Sequence, residues 1–336
     1  MITPANLVAA LLTLIPLLGA AFFAEGVAAG VRRLPLWARL LIPAALSAPY
    51  ALVACGGGVF HWGWFALYAL LPVAIACLLE QARRADSGSG GPRGNWRDYL
   101  VLATLGLAVD LRWFEGAWPA HLAIFNKMLL LDAGLYGFLA VRQLDGVGFD
   151  LRLRLRDAGI GLRELAWYAP IALALGLGLG FLHLHRAWPG SPATGLGRWG
   201  GWPGSPATGL GRWGGWPGSP ATGLGRWGGW PGLAAIAGAW VFTFFFIAVP
   251  EEVFFRGWLQ NLLERRIGRA PALFLTAALF GLSHFNKRTA LFNWRYVLLA
   301  AAAGVFYGRA WRRERRVAAS AITHASVDTI WSLWLR

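Results

Sequence analysis

The apolar runs at 5–30, 40–56 and 59–80 constrain this chain before any motif does. The first and third exceed, and the second approaches, the roughly 20 residues that carry an α-helix across a bilayer core. Hydrocarbon offers backbone groups no partner, so a helix that bonds its own N–H and C=O is the economical way across. Further candidate spans lie near 99–114, 121–141, 164–185, 233–264, 270–285, 293–309 and 316–335. Asp110, Arg112 and Glu115 interrupt the fourth segment, and Lys127 and Asp132 the fifth. The expected fold class is therefore all-α: a polytopic integral membrane bundle of about 8–10 transmembrane helices. Composition agrees, with 57% hydrophobic and 14% charged residues, against about 25% charged in soluble domains.

The net charge of +15 raises the question of a polyanionic partner. The arginines lie between apolar runs rather than along one amphipathic face, so they read as topology signals. The lipid bilayer, not nucleic acid, is the expected partner. With the N-terminus outside, the connections at 31–39, 81–98, 142–163, 265–269 and 309–316 face the cytoplasm. They hold 20 of the 31 Lys and Arg, as the positive-inside rule requires. The first apolar run has no Lys or Arg before it, which reads as an uncleaved span rather than a signal peptide. Cys55 and Cys77 sit in apolar runs without metal-site spacing and are expected to be small buried residues. Asp150–Asp157 alternates Leu and Arg, a pattern that suits a short strand or a basic segment on anionic lipid.

Three parts are expected. Residues 1–186 form a membrane scaffold. Residues 187–232 hold three identical copies of the 14-residue WPGSPATGLGRWGG, too rich in Gly and Pro for a helix or paired strand. These read as an outer loop with Trp at the membrane interface. Residues 233–336 form a C-terminal transmembrane core that holds the candidate functional residues.

That core contains adjacent carboxylates, Glu251 and Glu252, at the end of the apolar run 233–249. Charge placed there is costly and marks a functional site. In a helix the two point about 100° apart. Glu252 and Arg256, four residues apart, can pair on one face and leave Glu251 free to act as a base on water. Phe280 and His284 share a face of the next helix, and His324 and Asp328 a face of the last. Glu251 and His284 lie nearly equidistant from Gly268 and could meet at one depth in a helical hairpin. The signatures His-Glu-x-x-His, Gly-x-Gly-Asp and a rhomboid-like Gly-x-Ser-x-Gly are absent.

Glu251-Glu252-x-x-x-Arg256, Phe280-x-x-x-His284 and His324-x-x-x-Asp328 resemble the three motifs of the CPBP family. These are CAAX prenyl endopeptidases and bacterial Abi (bacteriocin-processing or immunity) membrane proteases. Order and spacing are similar over about 233–335. The resemblance implies an intramembrane glutamic endopeptidase of a bacterial inner (cytoplasmic) membrane, acting on a membrane-associated protein or peptide. It implies Glu251 as general base, His284 as the holder of the attacking water, and His324 and Asp328 on the oxyanion side. Glu252, Arg256 and Phe280 become supporting residues. No cofactor or metal is implied; zinc on the two His and two Glu is the alternative mechanism. A catalytically silent immunity or scaffold protein and a proton-coupled transporter are the alternative functions. The transporter would be expected to repeat its spans internally, and no such repeat is visible.

Overall fold

The computed structural model describes residues 3–86, 93–119, 122–181, 233–285 and 292–334. The tandem repeat therefore lies outside the described residues, as do Lys287 and Arg288. Among the described residues there is no strand, and the chain is all-α. The principal helices are α1 (Pro4–Arg32), α2 (Leu36–Gly56), α3 (Trp62–Ala85), α4 (Trp96–Asp110), α5 (Ile124–Val141), α6 (Leu155–Gly178), α7 (Ile236–Ile267), α8 (Arg269–Leu282), α9 (Trp294–Glu314) and α10 (Val317–Trp334). The alternating stretch forms no strand either: 151–154 is irregular, and Leu155 opens α6.

Among the described residues six helices (α1, α2, α3, α5, α6 and α7) are long and apolar enough to cross a membrane. The other four expected spans are shorter or more polar. α4 has 15 residues and α8 has 14, which at about 1.5 Å per residue fall short of a bilayer core of about 30 Å. α9 ends in Arg309, Arg312, Arg313 and Glu314, and α10 carries Ser, Thr, His and Asp. The α1 surface shows what surrounds the bundle. Its buried residues are mostly small, including Ala9, Thr13, Ala20 and Ala21, while Leu11 and Ile15 are exposed. Small residues inside and large apolar ones outside is the pattern of helices that pack in lipid. Cys55, expected to be buried, is exposed on α2, and Cys77 is half-buried; on such helices an apolar residue can face lipid as readily as the core. The protein is a multi-pass integral membrane protein.

Packing divides the chain into two compact units. The first is Met1–Arg152 with Gly257–Arg269. Its α4 opens with a capping box in which Asn95 and Asp98 bond each other's backbone. Buried Arg142 then pairs with Asp98 at 2.7 Å and with Asp86. Gly134 leaves room for the Trp258 ring, which a Cβ there would strike. Asp132 is buried, and neither of its carboxyl oxygens meets a donor among the described residues.

The second unit is Leu153–Arg256 with Ala270–Arg336. Helix α6 packs in it against α9 and α10. Close approach is set by glycines. A Cβ on Gly161 would lie 2.8 Å from Ile322, one on Gly281 2.5 Å from the Val297 carbonyl, and one on Gly304 3.0 Å from Ala277. These contacts bring α6 to α10 and α8 to α9 at the distances that small residues allow. Two buried acids of α6 are matched by arginines: Asp157 by Arg316 at 2.8 Å, and Glu164 by Arg309 at 3.1 Å.

Candidate active site

Helix α7 is not regular where it carries its acids. Phe244–Ala248 and Val253–Gln260 are π-helical and flank the α-helical turn Val249–Glu252. Pro250 is the local cause: it has no N–H to donate to the turn before it. The Val249 N–H reaches back five residues to the Phe244 carbonyl. Wide turns of this kind tend to occur at functional sites.

The two carboxylates leave this turn in different directions. Glu252 is fully buried, with its Oε1 2.8 Å from His324 Nδ1. A carboxylate accepts, so Nδ1–H is the donor. The other Glu252 oxygen is 3.2 Å from Arg256 Nε, a charge contact outside hydrogen-bond alignment. The Arg256 guanidinium is fully buried and donates from Nη2 to the Gly304 carbonyl at 3.0 Å. It sits 4.7 Å from the Phe280 ring centre and 5.4 Å from that of Tyr307, within cation–π range.

Glu251 faces the opposite nitrogen of the same imidazole. Its Oε2 lies 3.9 Å from His324 Nε2, and its side chain keeps 17% of its surface. Asp328, one turn further along α10, brings Oδ2 to 3.5 Å from Nε2 and is 31% exposed. His324 thus has the sealed Glu252 on Nδ1 and two accessible acids on Nε2.

His284 ends the α8 side of the site. Its Nδ1 is 2.8 Å from the Phe280 carbonyl. A carbonyl only accepts, so Nδ1 is the donor in this bond. The Phe280 ring lies between the two histidines, 4.9 Å from His284 and 5.6 Å from His324, centre to centre. All seven residues singled out by sequence belong to this one unit. His324 contacts Glu251, Glu252 and Asp328 directly, while Phe280 links His284 and Arg256 to the same cluster.

Helix α9 supplies residues that the motifs do not contain. Tyr307 stacks on His324 at 4.6 Å and 15°, and Tyr296 meets His284 edge-on at 5.1 Å. The two tyrosines are eleven residues apart, about three helical turns, so they share a face. That spacing within a largely apolar helix is the signal by which sequence could have found them. Among the described residues no group of three or more His, Cys, Asp or Glu side chains is placed to hold a metal ion.

The family comparison finds one similarity, confined to this segment. Residues 233–330 match the family described as Type II CAAX prenyl endopeptidase Rce1-like. The C-terminal segment is Rce1-like. No curated protein and no solved structure matches the chain. The Rce1-like segment contains all three motifs and both α9 tyrosines, and it covers less than a third of the chain. Helix α6, which packs against it, lies outside the match. At family level this similarity supports a CAAX-type membrane protease.

Proposed function

We propose that the protein is an intramembrane glutamic endopeptidase of a bacterial inner membrane. Its substrate is a membrane-associated protein or peptide, cleaved by a water that Glu251 activates. One observation carries this reading: of the adjacent carboxylates, only Glu251 keeps solvent access while lying beside a histidine. Glu252 is sealed between His324 and Arg256, which suits an orienting role.

In this scheme Glu251 removes a proton from water as the water oxygen attacks the scissile carbonyl carbon. The carbonyl π pair moves onto oxygen. His284, with Nδ1–H committed to the Phe280 carbonyl, accepts from the same water through Nε2 and fixes its direction. His324 donates from Nε2 to the developing oxyanion, with Asp328 and Glu252 holding the ring in place. Glu251 then returns the proton to the departing amine as the C–N bond breaks. No metal takes part.

The test compares newly formed peptide ends in membranes from cells expressing the wild-type chain with those expressing Glu251→Gln. Ends present with wild type and absent with the variant are expected. Identical ends in both would leave a non-catalytic scaffold as the better description.

A further inference from the structure

Tyr307 of α9 touches the site and belongs to none of the three motifs. It is 1% exposed. Its ring lies 15° from parallel to the His324 imidazole, with 4.6 Å between centres. The chain path brings the two together. Arg315, in the left-handed conformation, ends α9 before α10 begins. Tyr307 stands eight residues before Arg315 and His324 nine after it. Antiparallel helices rising about 1.5 Å per residue put such positions at nearly one depth. The α9 backbone is also tied to the site one turn before Tyr307. Arg256 Nη2 donates to the Gly304 carbonyl at 3.0 Å, and a Cβ on Gly304 would crowd Ala277 at 3.0 Å.

An imidazole directs both nitrogens within its own plane, so whatever fixes the plane aims both of them. In His324 they meet different groups. Nδ1 is 2.8 Å from Glu252 Oε1, while Nε2 faces Glu251 Oε2 at 3.9 Å and Asp328 Oδ2 at 3.5 Å. Contacts at the two nitrogens alone leave the ring free to tilt about the line joining them. A flat ring packed on its face removes that freedom, and offset or parallel stacking is a favourable arrangement for such a pair. Phe280 bounds the same imidazole from a second direction, nearly perpendicular at 88° and 5.6 Å away. Arg256 lies 5.4 Å from the Tyr307 ring centre and 4.7 Å from that of Phe280. The motif arginine therefore packs against both rings that bound His324.

We infer that Tyr307 is a positioning residue for the peptide hydrolysis proposed above, a role that rests on that reading. Its ring holds the His324 plane so that Nδ1 stays on Glu252 and Nε2 stays aimed at the developing oxyanion. The test uses full-length protein in detergent and one membrane peptide from among those whose new ends depend on the wild-type chain. Gel filtration isolates folded protein, and kcat and KM are measured per folded molecule for wild type, Glu251→Gln and three Tyr307 variants. Tyr307→Phe keeps the flat face and should turn over at close to the wild-type rate. Tyr307→Leu and Tyr307→Met fill similar space without a flat face, and using both guards against one that does not fold. Their kcat should fall at least about tenfold, towards the roughly 100-fold cost of an angstrom-scale misplacement, with KM unchanged. Equal kcat for all three variants, whether fast or slow, would overturn the assignment, as would a loss confined to KM. Glu251→Gln separates the two claims. If it cleaves like wild type, the glutamic scheme itself fails; if it is inactive beside a fully active Tyr307→Leu, only the positioning role is lost.

Discussion

At the scale of single residues, Glu252 and Arg256 are the most exposed to substitution, because both are buried charges. Glu252→Gln leaves the Arg256 guanidinium without its counter-charge among aromatic rings, and breaking a buried pair costs about 3–5 kcal/mol. A large fall in thermal midpoint in detergent is expected. Adding Arg256→Met should recover part of that stability, since an apolar side chain of similar length removes the orphaned charge. A double variant no more stable than the single would show that the pair does not act as a unit. These residues were legible in sequence because each motif joins positions four apart on one helix face: Glu252 with Arg256, Phe280 with His284, His324 with Asp328. The contact between His324 and Glu252 was not legible. It spans 72 positions, and nothing local encodes which nitrogen of an imidazole a distant carboxylate will meet.

At the scale of elements, glycine sets where helices touch. Gly161→Ala would place a Cβ 2.8 Å from Ile322 and 3.0 Å from the Ala319 carbonyl, prising α6 from α10. Overpacking of this kind costs about 1–3 kcal/mol. Gly159→Ala, two residues away with open space around its Cβ, should cost nothing. Thermal midpoints of the two variants measured side by side decide this; equal values would remove Gly161 as the contact point. Sequence periodicity marked α6 as a span but said nothing of its neighbours. Its place beside α9 and α10 depends on glycine contacts and on Asp157 meeting Arg316, pairings between residues that lie far apart in the chain. The π-helical turns around Glu251 were foreshadowed only by Pro250.

At the scale of the whole molecule, charge bias sets orientation: 142–163 and 309–316 are expected in the cytoplasm and the tandem repeat outside. Reporter fusions at Arg154 and Gly215 should read opposite sides of the membrane; one side for both would mean an even number of crossings between them. Membrane character was written in the apolar runs, whereas the distinction between six long apolar helices and four shorter or more polar ones needed the helix ends themselves. The proposed chemistry rests on Glu251 working without a metal, and the decisive measurement follows from that. Once a cleaved membrane peptide is in hand, its hydrolysis is followed with purified full-length protein that has been stripped of metal, with metal content measured in the same samples. The wild-type rate should survive stripping, and Glu251→Gln should lose at least about 100-fold, the low end for a general base. A rate that vanishes on stripping and returns with stoichiometric zinc, or a Glu251→Gln variant that cleaves like wild type, would contradict it.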